Sequence, residues 1–318
     1  MGYSVVSTLL IILCSLNQAD SEVYCITTKT PDLRNIQPCL TLSQFATNLS
    51  RYLHSNTTST LVFLPGTHHL SNVNLTLSHM ENFLMKSENL TAKIKCTSDS
   101  NFHFSQTQSI HITNLEFIGC GGNQVNHVEE FLVNNTKFEG QNNSGTALKL
   151  IATTAQIINS IFVSNRKGSS GKYAASLGTY IGFIGGAIIA TNGANINISR
   201  SKFEDNRAGC GGAIFGDNSM ITITDNVSFV SNYATQYGGV LCSNRSVMTT
   251  ISASTFNKNH LSNDGRGVLW SVNSVIIIEI SEFHANGGGD VLAIFYSTII
   301  IQACKFDRNG ELGVLITL

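Results

Sequence analysis

Short apolar runs alternate with polar ones along most of this chain, and one combination recurs as a cassette. Each copy reads Phe-x-x-Asn, and the copies stand at 162–165, 203–206, 229–232, 256–259, 283–286 and 306–309. The last five copies begin at intervals of 26, 27, 27 and 23 residues. Such a period predicts a solenoid, because each repeat buries its apolar face only against neighbouring repeats.

The residues before each phenylalanine predict two strands that meet at a bend. Side chains five and seven residues before it are mostly apolar, and the side chain two residues before it is small. The two sets alternate in opposite phase, so the backbone must bend between them. Asparagine tolerates left-handed backbone and often stands at this bend, as at Asn114, Asn135, Asn159 and Asn226.

A third strand is predicted after glycine pairs such as those at 185–188 and 211–214. Three strands per repeat make one coil of an all-β parallel β-helix with coils of about 21–27 residues. Equivalent residues then stack at roughly 4.8 Å, with apolar ladders in the core and asparagine ladders at the corners. The predicted ladder residues are Phe203, Phe229, Phe256, Phe283, Phe306, Asn206, Asn232, Asn259, Asn286 and Asn309.

These motifs resemble known repeat proteins. The Phe-x-x-Asn and Gly-Gly-Ala-Ile repeats resemble those of polymorphic outer-membrane-protein adhesins, and the wider pattern resembles right-handed parallel β-helices of the pectin-lyase-like superfamily. The Leu-Pro-Gly-Thr-His stretch at 64–68 is similar to secreted animal β-helix proteins. The resemblance spans roughly residues 105–318, and 61–104 more loosely. It implies a right-handed solenoid, with adhesion or surface display for the first group and polysaccharide cleavage for many members of the second.

The pattern divides the chain into three regions. Residues 1–21 are predicted to be a secretory signal peptide, with an apolar core at 9–13 and small residues near its end. Residues 22–60 are predicted to be an N-terminal cap, which includes an amphipathic helix at 42–53. The β-helix is predicted at 61–318, and its last strand stops abruptly, which indicates a C-terminally truncated chain. No run is predicted to span a membrane.

Eight cysteines fit a secreted, disulfide-bonded protein. Cys25 and Cys39 flank a short loop, and Cys96 and Cys120 lie about one repeat apart, so we predict these two bridges. Cys14 falls in the leader, which leaves an odd number. The remaining three are predicted to be mostly buried, small apolar residues: Cys210, Cys242 and Cys304.

Nine Asn-x-Ser/Thr motifs support secretion through a glycosylating pathway. Two of them, at Asn197 and Asn226, lie in or beside predicted strands and are expected to be poorer acceptors. The predicted glycosylation sites are Asn48, Asn56, Asn74, Asn89, Asn134, Asn142 and Asn244.

The net charge and the placement of reactive side chains argue against several classes of function. The net charge is −1 and 12% of residues are charged, so no field would recruit nucleic acid or an anionic membrane. The acids form no column on adjacent coils, so no catalytic residue is assigned. His68 and His69 point to opposite faces of a strand, so no metal or cofactor is predicted. The insertion at 166–184 is either a grafted binding site or a tolerated surface loop.

The sequence therefore favours a non-enzymatic, secreted or cell-surface β-helix scaffold for adhesion, recognition or matrix structure. Glycans or extracellular proteins are its predicted partners. The alternative is a carbohydrate-active enzyme, either a polysaccharide lyase or a glycoside hydrolase. The oligomeric state and the ligand are not predicted.

Overall fold

The chain winds into an all-β solenoid whose strands pair in parallel along three sides. The parallel β-helix predicted from the repeats is therefore confirmed. The predicted leader before Ser21, Cys39, and the segment from 167 to 184 lie outside the described residues, as do Asn56, Asn89 and Asn142. The computed structural model describes residues 21–26, 40–48, 57–88, 92–97, 100–140, 145–166, 185–262, 266–310 and 314–317.

The first side of the solenoid is a ladder of strands in which alternate side chains point inward. Its later strands begin directly after the glycine pairs, as predicted. The strands are β4 (Leu75–Ser78), the first half of β7 (Phe102–Thr113), the first half of β9 (Asn123–Asn134), β11 (Leu148–Ile151), β14 (Ile188–Thr191), β18 (Ile214–Asp217), β22 (Leu241–Asn244), β26 (Leu269–Val272), β29 (Leu292–Phe295) and β32 (Val314–Thr317).

The second side joins the first in one 19-stranded sheet, because β7 and β9 run through the corner between them. A single left-handed residue turns each of these strands, Gln106 with φ 50° and His127 with φ 51°. The second side consists of β1 (Ser21–Ile26), β2 (Thr58–Phe63), β5 (Asn82–Ser87), the second halves of β7 and β9, β12 (Thr154–Ile158), β15 (Asn195–Ser199), β19 (Met220–Thr224), β23 (Met248–Ser252), β27 (Val275–Glu279) and β30 (Thr298–Gln302).

The third side is a 10-stranded sheet that carries the phenylalanines. It consists of β3 (Gly66–Leu70), β6 (Ala92–Cys96), β8 (Leu115–Ile118), β10 (Lys137–Glu139), β13 (Ile161–Val163), β16 (Lys202–Glu204), β20 (Ser228–Val230), β24 (Thr255–Asn257), β28 (Glu282–His284) and β31 (Lys305–Asp307). Three coils then add a short sheet before returning to the first side: β17 (Arg207–Cys210), β21 (Tyr233–Tyr237) and β25 (His260–Leu261).

Left-handed residues form the corner between the second and third sides. The predicted asparagines adopt this conformation, and Asp225 beside Asn226 supplies the extra residue of its coil. In other coils the same corner holds residues that disfavour positive φ, which costs roughly 1–2 kcal/mol each. These residues are Arg200, Ala253, Ile280 and Ala303.

The phenylalanine ladder fills the core as predicted. Phe203 pairs with Phe229, and the register continues through every later cassette. Rings from Phe117 to Phe306 stack face to face with centroids 4.4–5.0 Å apart. All are buried except Phe306, which is 38% exposed. Each buried ring contributes about 1.5–3 kcal/mol of hydrophobic free energy.

The asparagine ladder ties consecutive coils together through buried side chains. Asn206 Nδ2 donates to Asn232 Oδ1 and to the Phe162 carbonyl, at 2.9 Å in both cases. The backbone N–H of Asn206 donates to the same Asn232 oxygen at 3.1 Å. These bonds repeat through Asn309 and satisfy backbone groups that the corner would otherwise leave unpaired.

At the N-terminus, helix α1 (Leu42–Thr47) packs Leu42, Phe45 and Ala46 into the core. The predicted capping box at Thr41 is present, since Thr41 and Gln44 exchange hydrogen bonds. The helix ends at Thr47 rather than at residue 53, and residues 49–56 lie outside the described part. The second side also starts earlier than predicted, because β1 pairs in parallel with β2 within the predicted cap region.

Two disulfides bridge neighbouring coils. Cys96 and Cys120 are bonded as predicted, with Cα atoms 4.9 Å apart. The prediction that Cys210 and Cys242 are isolated apolar residues is wrong, because they form a second bridge with Cα atoms 5.7 Å apart. Their spacing of 32 residues joins the short sheet to the first side of the next coil, a contact that the repeat period does not reveal. Cys25 is also disulfide-bonded, while Cys304 is free and partly buried.

Candidate functional site

Most acidic side chains that could serve in catalysis contact basic residues on the outer faces of the coils. Glu204 pairs with Lys202 at 2.7 Å, and Asp217 pairs with Arg245 at 2.8 Å. Arg166 pairs with Asp205, and His284 Nδ1 lies 2.9 Å from Asp307 Oδ2. Glu139 contacts Lys137, which also contacts Glu116. Asp225 occupies a corner, and Asp264 lies outside the described residues. In these contacts the carboxylates face basic groups, whereas glycoside cleavage requires a second carboxyl group nearby.

Glu116 lies in the most extensive ion-pair cluster, on the outer face of the third side. Its side chain is 12% exposed and contacts Lys93 at 2.9 Å and Lys137 at 3.1 Å. Burial alone would raise its pKa, but hydrogen bonds and charge from the two lysines outweigh burial and lower the pKa. Lys137 stands directly opposite Glu116 in the parallel pairing of β10 with β8. A carboxylate held ionised in this way is a poor proton donor.

Asp290 shows the opposite behaviour. It is 7% exposed, and burial raises its pKa while the charge of Arg266 partly opposes the rise. The residue stands beside the corner that leads into β29. Burial is one of the ways in which enzymes raise the pKa of a general acid, whereas a nearby cation acts against the rise.

The two adjacent histidines considered for metal binding point to opposite faces of strand β3. His68 is buried, and its Nε2 lies 2.7 Å from the Leu64 carbonyl, whereas His69 faces solvent on the opposite face of β3. A groove of about 800 Å³ at another corner is lined by exposed residues that include His79, Glu81, His127 and Glu129. Within the described ranges no three His, Cys, Asp or Glu residues are placed to hold a metal ion.

The short sheet aligns three different planar side chains on its outer face. Arg207 pairs with Tyr233, and Tyr233 pairs with His260, on consecutive coils. The Arg207 Cζ lies 4.4 Å from the Tyr233 ring centroid, a stacked cation–π contact. The next residue in each strand points inward and is buried: Ala208, Ala234 and Leu261. We call Arg207, Tyr233 and His260 the planar column.

The ends of the planar column differ. Arg166 bridges to Arg207 at the N-terminal end and donates to Asp205 Oδ2 at 2.8 Å. At the other end His260 lies beside Gly287, where a Cβ atom would come within 2.7 Å of the imidazole Cε1. The glycine therefore provides the space in which the imidazole ring rests against the backbone. Sequence reasoning missed this column, although each member directly follows the asparagine of a Phe-x-x-Asn cassette.

A second apolar cluster lies next to the short sheet, outside the main core. It consists of outward-facing residues of the first side with Cys210, and Tyr237 packs on Trp270 with ring centroids 5.0 Å apart. Trp270 is buried on the outer face of its strand, away from the main core. The signal was the pairs of adjacent apolar residues in these strands, which indicate burial on both faces. The outward members on consecutive strands are Ile189, Phe215, Cys242, Trp270 and Ala293.

The described glycosylation motifs cluster away from the planar column. Asn134, Asn197 and Asn226 lie on the second side or at its corner with the third side, and the last two are exposed. Asn48 and Asn74 are exposed near the N-terminus. In this fold Asn244 is a poor acceptor, because it is 7% exposed and its Nδ2 donates to Asp217 at 3.0 Å.

Comparison with known proteins gives one sequence relative of limited extent. No family model matches the chain. Over 162 residues the chain is 31% identical to a protein of Chlamydia pneumoniae described as probable outer membrane protein pmp21. The match covers 42% of this chain and 10% of that protein. It agrees with the resemblance of the repeats to polymorphic outer-membrane proteins.

Similarity to solved structures is broad but weak. ORF18 of Geobacillus virus E2 is 9% identical, with 85% of this chain and 57% of that chain covered and a TM-score of 0.34. A mannuronic-acid-specific polysaccharide family 6 lyase from human gut microbiota is 10% identical, with 93% and 83% covered and a TM-score of 0.28. Scores this low carry no inference about a site or an activity. Within the described residues no helix is long and apolar enough to cross a membrane.

Proposed function

We propose that this chain is a non-enzymatic, secreted or surface-displayed β-helix that recognises an extracellular ligand along its flank. The planar column is the observation that carries this proposal. Its side chains are exposed or half-buried, differ in chemistry and project from paired backbone that directly follows the phenylalanine and asparagine ladders. Binding groups on rigid elements lose little entropy when a ligand arrives.

Three further features support an extracellular location. Disulfides persist in oxidising compartments, and this chain has bridges in both its N-terminal and C-terminal coils. Exposed Asn-x-Ser/Thr motifs fit passage through a glycosylating secretory pathway. The relative from Chlamydia is described as a probable outer membrane protein, and a surface location for the present chain is in keeping with that match.

The proposal is tested by expressing the chain with its own N-terminus in eukaryotic cells. We expect secreted protein whose cysteines are oxidised and whose mass falls on treatment with an N-glycan-cleaving enzyme. The secreted protein is then applied to arrays of glycans and of extracellular proteins. Retention in the cell with reduced cysteines, or secretion without reproducible binding on either array, would contradict the proposal.

A carbohydrate-active enzyme is the second candidate, and Asp290 favours it. Burial raises the pKa of this carboxyl group, although the charge of Arg266 opposes the rise, and a raised pKa is one property of a general acid. The test is a polysaccharide degradation screen with the native chain and two variants. Turnover abolished by Asp290→Asn, but kept by the exposed-corner control Asp225→Asn, would establish the enzyme and displace the scaffold.

A further inference from the structure

The outer face of the second side loses its charged residues towards the C-terminus. In its N-terminal strands the outward side chains include Lys86, His111 and Glu130. On β19, β23, β27 and β30 they carry hydroxyl groups or are apolar, with Glu279 and Gln302 as the exceptions. We call the outer surface of these four strands the flat face. Its apolar residues are Met220, Met248, Val275, Ile277 and Ile300.

Large apolar side chains are exposed on the flat face and at the corner beside it. Ile300 is 49% exposed at the centre of β30. At the corner that leads into the second side, Val247 is 65% exposed and Tyr296 is 74% exposed. A contiguous apolar surface bordered by polar residues marks an interaction site.

The partner of the flat face should itself be flat. The backbones of the four strands pair with one another along the solenoid, so the contact is made by side chains and not by strand addition. Two sheets can pack face to face at about 10 Å when the side chains of both interdigitate. The surface therefore fits a second sheet of the same kind.

A second copy of this chain offers such a sheet, and its charges are compatible with self-association. In a two-fold symmetric contact each patch meets itself, so a charged patch would place like charges together. The flat face avoids this conflict, because Glu279 is the one charged residue on its four described strands. Arg245 at the adjoining corner is already paired with Asp217 at 2.8 Å.

Glu279 and the glycosylation motif at Asn197 distinguish two arrangements of the copies. If the solenoids lay parallel, Asn197 on the neighbouring strand β15 would face its own copy, and glycans attached there would collide. Glu279 would then lie against the partner's Val275. If the solenoids lie antiparallel, the two Asn197 residues stand at opposite ends of the contact, and Glu279 meets the partner's Ser252.

We infer that the flat face joins two copies of this chain in a symmetric dimer whose solenoid axes are antiparallel. The two-fold axis lies between β23 and β27. It places Thr250 opposite the partner's Ile277, and Met248 opposite the partner's Val275. The dimer goes beyond the proposed function and does not depend on it.

The size of the flat face predicts a weak, reversible dimer. Strands of about 17 Å at a spacing of roughly 4.8 Å give a face of about 19 by 17 Å in each copy. With its corners, the contact buries on the order of 1,000 Å² in total, at the lower end of specific interfaces, so the affinity should be micromolar. The planar column lies at the opposite corner, between the third and first sides, and stays open in both copies. Two linked columns would bind a repeated ligand with higher avidity.

Sedimentation equilibrium of the secreted full chain, over about 1–100 µM, measures the dimer. The native chain should pass from monomer to dimer in this range. Thr250→Glu or Ile277→Lys places an unpaired charge in the contact and should raise the dissociation constant roughly tenfold or more. The matched control is Leu132→Lys, at the same outward position of β9 in an N-terminal coil, and it should leave the dissociation constant unchanged.

Mixing the two variants tests the arrangement of the copies. In the antiparallel dimer the new carboxylate of one copy lies opposite the new ammonium group of the other, while the remaining Ile277 and Thr250 keep their native contact. An equimolar mixture should therefore associate roughly tenfold more tightly than either variant alone. If thermal unfolding shows that Ile277→Lys does not fold, Met248→Glu and Val275→Lys give the same test at the next outward position.

Three results would overturn the inference. They are a native chain that stays monomeric throughout the range, equal weakening by Leu132→Lys, and a mixture that associates no more tightly than the single variants. If the native chain is monomeric but the arrays still report a ligand, the dimer fails and the proposed function stands. If the dimer forms and no array ligand binds, the proposed function fails and the dimer stands.

Discussion

The outer surface of the first side changes character between its N-terminal and C-terminal strands. The inward-facing residues are mostly apolar in both regions, for example Phe102 and Ile214. The outward column is polar in the N-terminal strands, at Thr76, His103, Gln124 and Lys149, and apolar in the C-terminal strands, at Ile189, Phe215, Cys242 and Trp270. The inward positions thus keep the same character in every coil, whereas the outward positions differ and form a second apolar cluster in the C-terminal coils. The planar column lies next to this cluster.

Replacing Trp270 should have the largest effect on stability, and it tests the contrast between the two regions directly. Trp270→Ala removes a buried ring from the second cluster and should reduce the free energy of unfolding by about 3–5 kcal/mol. His103→Ala changes the same outward column in an N-terminal strand and should cost less than about 0.5 kcal/mol. Chemical denaturation of both variants measures the contrast. Equal costs would mean that the second cluster adds no stability.

The two bridges between neighbouring coils sharpen the comparison, because Cys96–Cys120 lies in the N-terminal coils and Cys210–Cys242 in the C-terminal coils. Paired serine substitutions at Cys210 and Cys242, or at Cys96 and Cys120, should each cost roughly 3–4 kcal/mol. The closed loops span 32 and 24 residues, so chain entropy predicts a difference of only about 0.3 kcal/mol. A much larger cost for the Cys210 pair, measured by denaturation, would indicate that this bridge also holds the second cluster together.

The corner between the second and third sides shows a contrast of its own. N-terminal coils place asparagine there, whereas a C-terminal coil places Ile280, with φ 50° and 65% exposure. Ile280→Asn should stabilise the protein by about 1 kcal/mol, because it relieves backbone strain without removing buried surface. The mirror change, Asn159→Ile, should destabilise it and also removes a hydrogen bond to Asn134. Thermal unfolding measures both, and a loss of stability in Ile280→Asn would show that its side chain makes an important contact.

The smallest expected effects concern pH, and the two regions should respond with opposite sign. The lowered pKa of Glu116 contributes stability that is present above its unfolded value and lost as pH falls through the folded value. Glu116→Gln should therefore cost about 1 kcal/mol or less at neutral pH, and nothing in acid.

Asp290 should behave in the reverse manner. Its raised pKa means that the folded protein binds the proton more tightly, so stability falls as pH rises from the unfolded value through the folded one. Asp290→Asn should stabilise the protein at neutral pH, with no gain in acid. Unfolding curves at several pH values test both carboxyl groups, and matching signs would contradict the assignment of their environments.

The repeats made much of the fold predictable, because every coil imposes the same requirement on the same position. Phe229 and Asn232 have counterparts above and below, so one period identified the core, the corner and the register. The Cys210–Cys242 bridge was missed because it links positions that are not equivalent between coils. The planar column was missed because Arg207, Tyr233 and His260 share a position but not a residue type, and only strand pairing shows that they are aligned.

The side-chain dipoles of the asparagine ladder are aligned along the solenoid axis. From Asn165 through Asn286, each side-chain amide donates to the oxygen of the next residue towards the C-terminus, so the carboxamide dipoles point the same way. The oxygen at the start of this row, Asn165 Oδ1, is buried without a hydrogen-bond donor among the described residues. Since polarisation strengthens successive members of such a chain, replacing a middle residue such as Asn232 divides one long cooperative array into two shorter ones.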